Sequence, residues 1–186
     1  MDGFSATHVR VLLTRLHHAR PAVFGSDQHK FALNEPLPES AVSMFERDLS
    51  IQLPNEYRSF ITGVGDGGAG PFYGVFPLGM VDDNFDLRQW HVNDGLVEDP
   101  SIPFDLVSEW NDTSTMPSDD LADEDQAEYD RRMENFENAY FRSDHLKGAV
   151  PICHQGCALR IWLVVTEEGR GTCGMTVEVN MEAFVH

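Results

Sequence analysis

The chain has 186 residues, 41% of them hydrophobic, with three cysteines and a formal net charge of −18. This length suits one domain with a packed core, the odd number of cysteines is not a disulfide framework, and the acidic excess opposes binding to nucleic acid or to an anionic membrane. Charge and histidine interrupt the apolar positions near the N-terminus, so no signal peptide or membrane span is predicted and we expect a soluble, cytoplasmic protein.

Three amphipathic helices are predicted in the first third of the chain. The segment ATHVRVLLTRLHHA, residues 6–19, places apolar residues at the 3, 4 and 7 spacing of one helix face. A second helix covers about residues 38–49, with Pro38 in its first turn. A third helix begins at Pro54, and we expect Gly63 to cap it in the left-handed conformation.

The third helix leads into GVGDGGAG, residues 63–70, which contains the G-x-G-x-x-G spacing of dinucleotide-binding turns. Such a turn needs a strand before it and a helix after it, so that free backbone N–H groups face the phosphates. Here a helix comes first, and PFYGVFPLG, residues 71–79, is predicted to be a strand that contains a bulge or ends in a turn. Asp66 adds a negative charge to the loop, so we interpret it as a sharp chain reversal and not as a phosphate site.

Residues 82–144 form the acidic part of the chain, with 19 Asp and Glu against 4 Lys and Arg. We expect a short helical stretch around Phe85 to Trp90, a turn or short helix on Leu106 and Trp110, a mobile loop at 111–120 and a helix from about 121 to 141. Such an acidic surface would complement a basic protein partner, although charge runs also keep proteins soluble.

The last third of the chain alternates short apolar runs with glycine turns. ALRIWLVV, residues 158–165, is predicted to be a central strand, EEGRG its hairpin turn, and CGMTVEV, residues 173–179, the return strand. Helices come first and strands later, without a repeating β-α-β alternation. The predicted fold class is therefore α+β in a single domain, residues 1–186.

The cysteines and histidines do not match a recognisable catalytic or metal motif. Cys153 and Cys157 are separated by three residues and have no second ligand pair, which disfavours structural zinc even with Cys173 on the return strand. His154 follows Cys153 directly, and neighbours on a strand point to opposite faces, which disfavours a nucleophile and base pair. We predict no catalytic residue, no metal and no cofactor.

The order of these features resembles the SUKH superfamily, whose members include yeast cell-wall-assembly regulators and many bacterial immunity proteins. The resemblance covers about residues 38–80 and 148–180. In the first block the matching residues are Leu53, Pro54, Tyr57, Phe60, Gly67, Gly68, Pro71, Tyr73, Gly74, Leu78 and Gly79. In the second block they are Pro151, Ile152, Gly156, Cys157, Leu163, Val164, Val165, Gly169 and Gly171.

This resemblance implies an α+β fold in which a twisted, mainly antiparallel β-sheet packs against N-terminal helices. For bacterial members it implies a non-catalytic protein that binds and neutralises a polymorphic toxin, often a nuclease. Since nucleases have basic clefts, an acidic surface would speed their capture. The leading hypothesis is therefore an immunity protein with a basic toxin domain as its partner. The alternatives are a regulatory scaffold in cell-envelope assembly and a hydrolase that uses Cys153 or Cys157.

The residues expected to form the partner-binding surface are the carboxylates between positions 82 and 125 and two tryptophans, since tryptophan often anchors interfaces. Core packing is the competing interpretation of both tryptophans. The candidates are Asp82, Asp83, Asp86, Asp94, Glu98, Asp99, Asp119, Asp120, Asp123, Glu124, Asp125, Trp90 and Trp110.

Overall fold

The structure, a computed structural model, describes residues 5–83, 86–106, 113–156, 159–166, 170–171 and 173–177. The helices are α1 Ala6–Ala19, α2 Ser26–His29, α3 Glu39–Leu49, α4 Asn55–Gly63, α5 Asp119–Glu124 and α6 Gln126–Tyr140. The strands are β1 Met80–Asp83, β2 Asp86–Gln89, β3 Ala149–Gly156, β4 Leu159–Val164 and β5 Cys173–Val177, and a 3-10 turn, Ser143–Leu146, precedes β3.

The strands of the described residues form two small antiparallel sheets where one sheet was expected. β1 and β2 pair as a two-stranded hairpin, and β3, β4 and β5 form a three-stranded sheet with β4 in the centre. The predicted central strand and its return strand are therefore confirmed. Together with the helices, these sheets confirm the α+β fold class.

One hydrophobic cluster joins the helices to both sheets. Its fully buried members include Val42 of α3, Ile61 of α4 and Val81 of β1, and Val150 of β3 and Trp162 of β4 are almost as deeply buried. Removal of apolar surface from water is the dominant favourable contribution to folding, so residues far apart in the chain are held together here. The core thus unites the acidic insert with the segments on both sides of it.

Helix α1 is confirmed, but it adds no buried residue to this core. Leu12 and Leu16, part of its predicted apolar stripe, are 42% and 39% exposed. Hydrophobic periodicity identifies a helix face but does not say what covers that face. The helices that supply the core are α3 and α4, which begin after Pro38 and Pro54 respectively. Pro38 itself is the N-cap residue and not a member of the first turn.

Two predictions for the glycine-rich region are wrong. Gly63 is the last residue of helix α4, and the C-cap that follows it, Val64, keeps a right-handed backbone, so Gly63 is not a left-handed cap. Residues 71–79 form turns and isolated bridges, Gly68 with Val75 and Val75 with Cys153, and not a strand. Repeated left-handed backbone conformations explain the difference, because they break the extended geometry that a strand requires.

Two predictions in the acidic segment also change. Asp86–Gln89 is strand β2 and not helical, since its backbone pairs with β1. The single helix expected from 121 to 141 is two helices, α5 and α6, because Asp125 has an extended φ of −150° and its carboxylate caps α6. Phe85, residues 107–112 including Trp110, and Cys157 lie outside the described residues.

The glycine-rich loop reverses the chain through left-handed residues in close contact with neighbouring backbone. Gly67 has a φ of +80°, and a Cβ there would lie 2.6 Å from the backbone nitrogen of Pro77. The carboxylate of Asp66 accepts a hydrogen bond from the Leu78 N–H at 2.8 Å and so ties both sides of the loop together. Geometry accounts for this composition, as expected.

Replacement of Gly67 by alanine is expected to lower the free energy of unfolding by more than about 2 kcal/mol, because the new Cβ meets backbone and the left-handed conformation is strained. Gly63→Ala is the matched control: nothing lies within 4 Å of its Cβ position, and alanine should stabilise the helix by up to about 1 kcal/mol. Urea denaturation of both variants tests this, and equal stability of the two would contradict it.

Candidate functional site

Three charged or titratable side chains from different strands meet in the interior. Asp82 of β1, His154 of β3 and Arg160 of β4 are only 5%, 8% and 7% exposed. Arg160 Nε lies 2.9 Å from Asp82 Oδ1, and His154 Nε2 lies 3.3 Å from Asp82 Oδ2. Arg160 Nη2 also donates to the backbone carbonyl of Asp82 at 3.0 Å. We call these three residues the buried charge cluster.

Strand pairing positions the buried charge cluster. His154 and Arg160 are directly opposite each other in the β3–β4 register, and opposite residues of antiparallel strands project to the same face of a sheet. Asp82 comes from the other sheet, 78 positions before Arg160 in the chain. The cluster therefore links the hairpin of the acidic insert to the C-terminal sheet.

Burial favours the neutral form of the imidazole in this cluster. It lowers the pKa of His154; Asp82 raises that pKa and Arg160 lowers it further. Tyr73 and Phe76 stack on the same ring, with centroid distances of 4.9 and 6.4 Å. The imidazole is thus held by aromatic contacts as well as by Asp82.

The cluster lies at one side of a cleft of about 320 Å³, which we call the loop cleft. The glycine-rich loop and the segment before α3 form its other sides. The lining residues of the loop cleft are Gln28, His29, Ala32, Asn34, Gly68, Tyr73, Gly74, Val75, Phe76, Pro77, Asp82, Leu87 and His154. The volume is at the lower end of the ~300–1,000 Å³ range of small-molecule sites.

Backbone hydrogen bonds fix the walls of the loop cleft. Gly68 and Val75 exchange two bonds of 2.8 and 2.9 Å, and the Ala69 N–H donates to the Ala32 carbonyl at 2.6 Å. The Asn34 N–H donates to the Gly67 carbonyl at 3.1 Å. Positive φ at Gly68 and Gly74 allows this close approach.

The motif residues of the first matching block have mainly structural roles. Leu53 and Pro54 are buried at the entry to α4, and Tyr57 and Phe60 pack against the core. The carbonyl of Pro71 accepts from the Gly74 N–H and from the Cys153 thiol. Gly67, Gly68, Gly74 and Gly79 all have positive φ, and Tyr73 lines the loop cleft.

Asp82 is not part of an exposed acidic surface, as its sequence context suggested, but the centre of the buried charge cluster. Val81 and Asp82 are neighbours on β1 and point to opposite faces, and both are buried, so both faces of this strand are covered at that point. Arg160 was not predicted as a site residue. The sequence feature that could have indicated it is a single charged residue inside the apolar run ALRIWLVV, where a buried charge needs a partner.

Several other predicted surface residues stabilise turns. Asp94 accepts from the backbone N–H groups of His91, Leu96 and Val97 and binds Arg88, and its pKa falls to about 2, since these hydrogen bonds outweigh the opposing effect of burial. Glu98 accepts from the Ser143 hydroxyl.

Other predicted surface positions are structural or lie outside what can be described. Asp99 accepts from Ser101. Trp90 is 4% exposed and contacts Phe45, so core packing is the correct interpretation of that residue. Trp110 lies outside the described residues, as does the side chain of Asp83.

The remaining candidates are exposed, and most of them lie together in sequence. Asp86 is exposed on β2. Asp119, Asp120, Asp123, Glu124 and Asp125 are all exposed on α5 and at its C-cap, and none of them forms an ion pair among the described residues. We call residues 119–125 the acidic segment. It contains five carboxylates and no basic residue.

The described cysteines differ in exposure. Cys153 is 2% exposed, and burial raises the pKa of its thiol to about 12. Cys173 is exposed on β5, and partial desolvation raises the pKa of its thiol as well. In the part of the chain that the structure describes, no group of three or more His, Cys, Asp and Glu is arranged to hold a metal ion.

No family model, curated protein or solved structure matches this chain significantly. Across the described residues, no helix is both long enough and apolar enough to cross a membrane.

Substitution of Asp82 by alanine is expected to reduce the free energy of unfolding by about 3–5 kcal/mol, because it removes the carboxylate that lies 2.9 Å from the buried guanidinium of Arg160. Asp86→Ala is the matched control on the paired strand: Asp86 is exposed, so the change should stay within about 0.5 kcal/mol. Chemical denaturation measures both. A small, equal effect at the two positions would contradict the buried cluster.

Acidification is expected to destabilise the protein in part through His154. Its pKa is lowered on folding, so the unfolded chain binds more protons than the folded one once the pH falls below about 6.5. The stability that the neutral imidazole provides is present above that pH and is lost progressively below it. Unfolding free energies between about pH 7.5 and 5.5 should therefore fall, and His154→Gln should show a shallower decline. An unchanged decline in the variant would contradict this origin.

Proposed function

We propose that this protein is a non-catalytic binding module that captures a basic protein partner, and that it serves as an immunity protein against a nuclease-type toxin. The observation that carries this proposal is the acidic segment, with five exposed carboxylates that no cation of the described residues neutralises. Like charges crowded on a short helix repel each other and contribute little to folding. A basic partner would relieve that repulsion.

The acidic segment differs from acidic residues near it in the chain that form ion pairs. On α6, the carboxylate of Glu128 is paired with Arg131 and Arg132 at 2.7 Å each. After the end of α6, Asp144 is paired with Arg142 at 2.5 Å. These carboxylates are already engaged by cations of the same chain. Among the described residues of this region, the acidic segment is the densest run of exposed carboxylates that form no ion pair.

Exposed apolar surface lies next to the acidic segment. Met116, three residues before α5, is 49% exposed. Protein interfaces commonly combine an apolar contact with a charged rim, and charge complementarity accelerates association. Met116 and the acidic segment together provide both features over ten residues of chain, 116–125.

The chemistry of the buried groups favours binding over catalysis. A nucleophilic cysteine needs a thiolate near neutral pH, whereas burial raises the pKa of Cys153 to about 12. Its thiol donates to the Pro71 carbonyl at 3.4 Å, which suits a structural role. A hydrolase that uses Cys153 therefore has less support than a binding role, while Cys157 lies outside the described residues.

Membership of the SUKH superfamily remains part of the proposal. Its support is that Gly67, Gly68, Gly74 and Gly79, four of the matching residues, occupy left-handed positions that favour glycine. The regulatory scaffold is the alternative within the same superfamily, and the identity of the partner distinguishes the two.

The proposal is tested with a variant in which Asp119, Asp120, Asp123 and Glu124 become the corresponding amides. Asp125 is retained because it caps α6. We expect the association rate with the toxin domain encoded beside this gene to fall roughly 10- to 100-fold at low salt, since steering by complementary charge is lost. Surface plasmon resonance measures the rate, and growth on co-expression measures neutralisation.

The matched control converts Asp27, Glu35, Asp48 and Glu56, four exposed carboxylates elsewhere, to amides. It changes the net charge equally, so it should retain most of the association rate. An equal loss in both variants would mean that net charge alone matters. Absence of binding by the wild-type protein would refute the immunity role, and capture of a cell-envelope assembly protein in place of a toxin would favour the scaffold.

A further inference from the structure

We propose that the loop cleft binds a small, uncharged, hydrogen-bonding ring compound, of the size of a nucleoside or a monosaccharide. This site is separate from the acidic segment and does not depend on the proposed partner. Its support comes from the charge balance of the cleft, its unpaired neutral polar groups and its rigid walls.

The charge balance of the loop cleft selects against ions. Asp82 is the only carboxylate among the described lining residues, and Arg160 already neutralises it. No lysine or arginine belongs to that lining, and burial lowers the pKa of its two histidines, His29 and His154, so an anionic ligand would find little positive charge. A cationic ligand would have to compete with Arg160 for Asp82. Charged groups are costly to bury without a partner, so a neutral ligand fits best.

Neutral donors and acceptors are available on the same lining. Asn34 donates through its Nδ2 to the Asp66 carbonyl at 2.8 Å, which leaves its Oδ1 as an acceptor. The Gln28 amide and the Tyr73 hydroxyl make no hydrogen bond with the described residues. Hydroxyl and amide groups of a ligand match such partners, because each of these side chains can both accept and donate.

The remaining lining supplies apolar surface for a ring. Val75, Pro77 and Leu87 lie on the lining, and the side chain of Leu87 is 53% exposed. Small-molecule sites typically combine apolar walls with a few polar groups that fix orientation. A ring with polar substituents has both of the required surfaces.

The cleft is formed before any ligand arrives. Its loop is held by the backbone bonds between Gly68 and Val75 and by the contact of Ala69 with Ala32. On the inner side of the cleft, His154 of β3 is held by the carboxylate of Asp82 on β1 and by its pairing with Arg160 on β4. Preorganised walls reduce the entropy lost on binding, so a small ligand can bind without a conformational change.

Adenosine and methyl β-glucoside are suitable neutral probes, with adenosine monophosphate as the charged counterpart of adenosine. We expect saturable binding of at least one neutral probe with a Kd on the order of 0.1 mM, and at least tenfold weaker binding of the monophosphate. Saturation-transfer NMR detects the binding, and isothermal calorimetry gives the Kd. Absence of saturable binding by both neutral probes at millimolar concentration would overturn the proposal, and so would equal affinity for the monophosphate.

Two variants localise the binding. Ala32→Phe places a bulky ring at an exposed lining position and should abolish binding, whereas Ala127→Phe, at an exposed position on α6, should leave it unchanged. Gln28→Ala removes only an exposed amide and should weaken binding several-fold without loss of fold. Binding unaffected by both Ala32→Phe and Gln28→Ala would overturn the assignment to the loop cleft. Because none of these changes touches residues 119–125, their outcome is independent of partner capture.

Discussion

The pairing of Asp82 with Arg160 is the interaction on which the arrangement of this molecule depends most. It joins β1, within the acidic insert, to β4, the central strand of the C-terminal sheet, at 2.9 Å. Buried ions are tolerated only when they are paired and hydrogen-bonded, so each strand must present its charge at the same place. His154 of β3 completes the cluster, and the aromatic rings of Tyr73 and Phe76 stack on its imidazole.

The glycine-rich loop is the second constraint, and it acts through shape. Glycines with positive φ at 67 and 68 let the chain pass close to the backbone of residues 32–33 and 75–77, and Gly74 lies against the carbonyl of Gly68. Asp66 closes this loop through the Leu78 N–H. One wall of the loop cleft is therefore made of backbone that has satisfied its own hydrogen bonds, and the side chains that remain unpaired there are neutral.

The carboxylates of the insert divide by what they contact. Asp82, Asp94 and Glu98 are engaged by protein donors, and these contacts hold the hairpin and its following turn in place. Among the described residues, the carboxylates of the acidic segment form no ion pair, and Asp125 alone has a structural role, as the cap of α6. Some carboxylates of the insert therefore contribute to folding, whereas others are available to a second molecule. The carboxylate that lines the loop cleft, Asp82, belongs to the first group.

The sequence by itself determined the α+β class, helices α1, α3 and α4, and the β4–β5 hairpin, because these follow from local periodicity and turn residues. It also argued against a phosphate-binding turn, since a helix precedes the loop. It could not show that Asp86–Gln89 is a strand or that α1 adds no buried residue to the core, because strand pairing and burial depend on distant residues. Only the tertiary structure revealed that Asp82 is buried against Arg160, 78 positions away, while residues 119–125 remain exposed. A carboxylate is the same chemical group in a buried cluster and on an exposed helix. Its role depends on whether the fold brings a cation next to it.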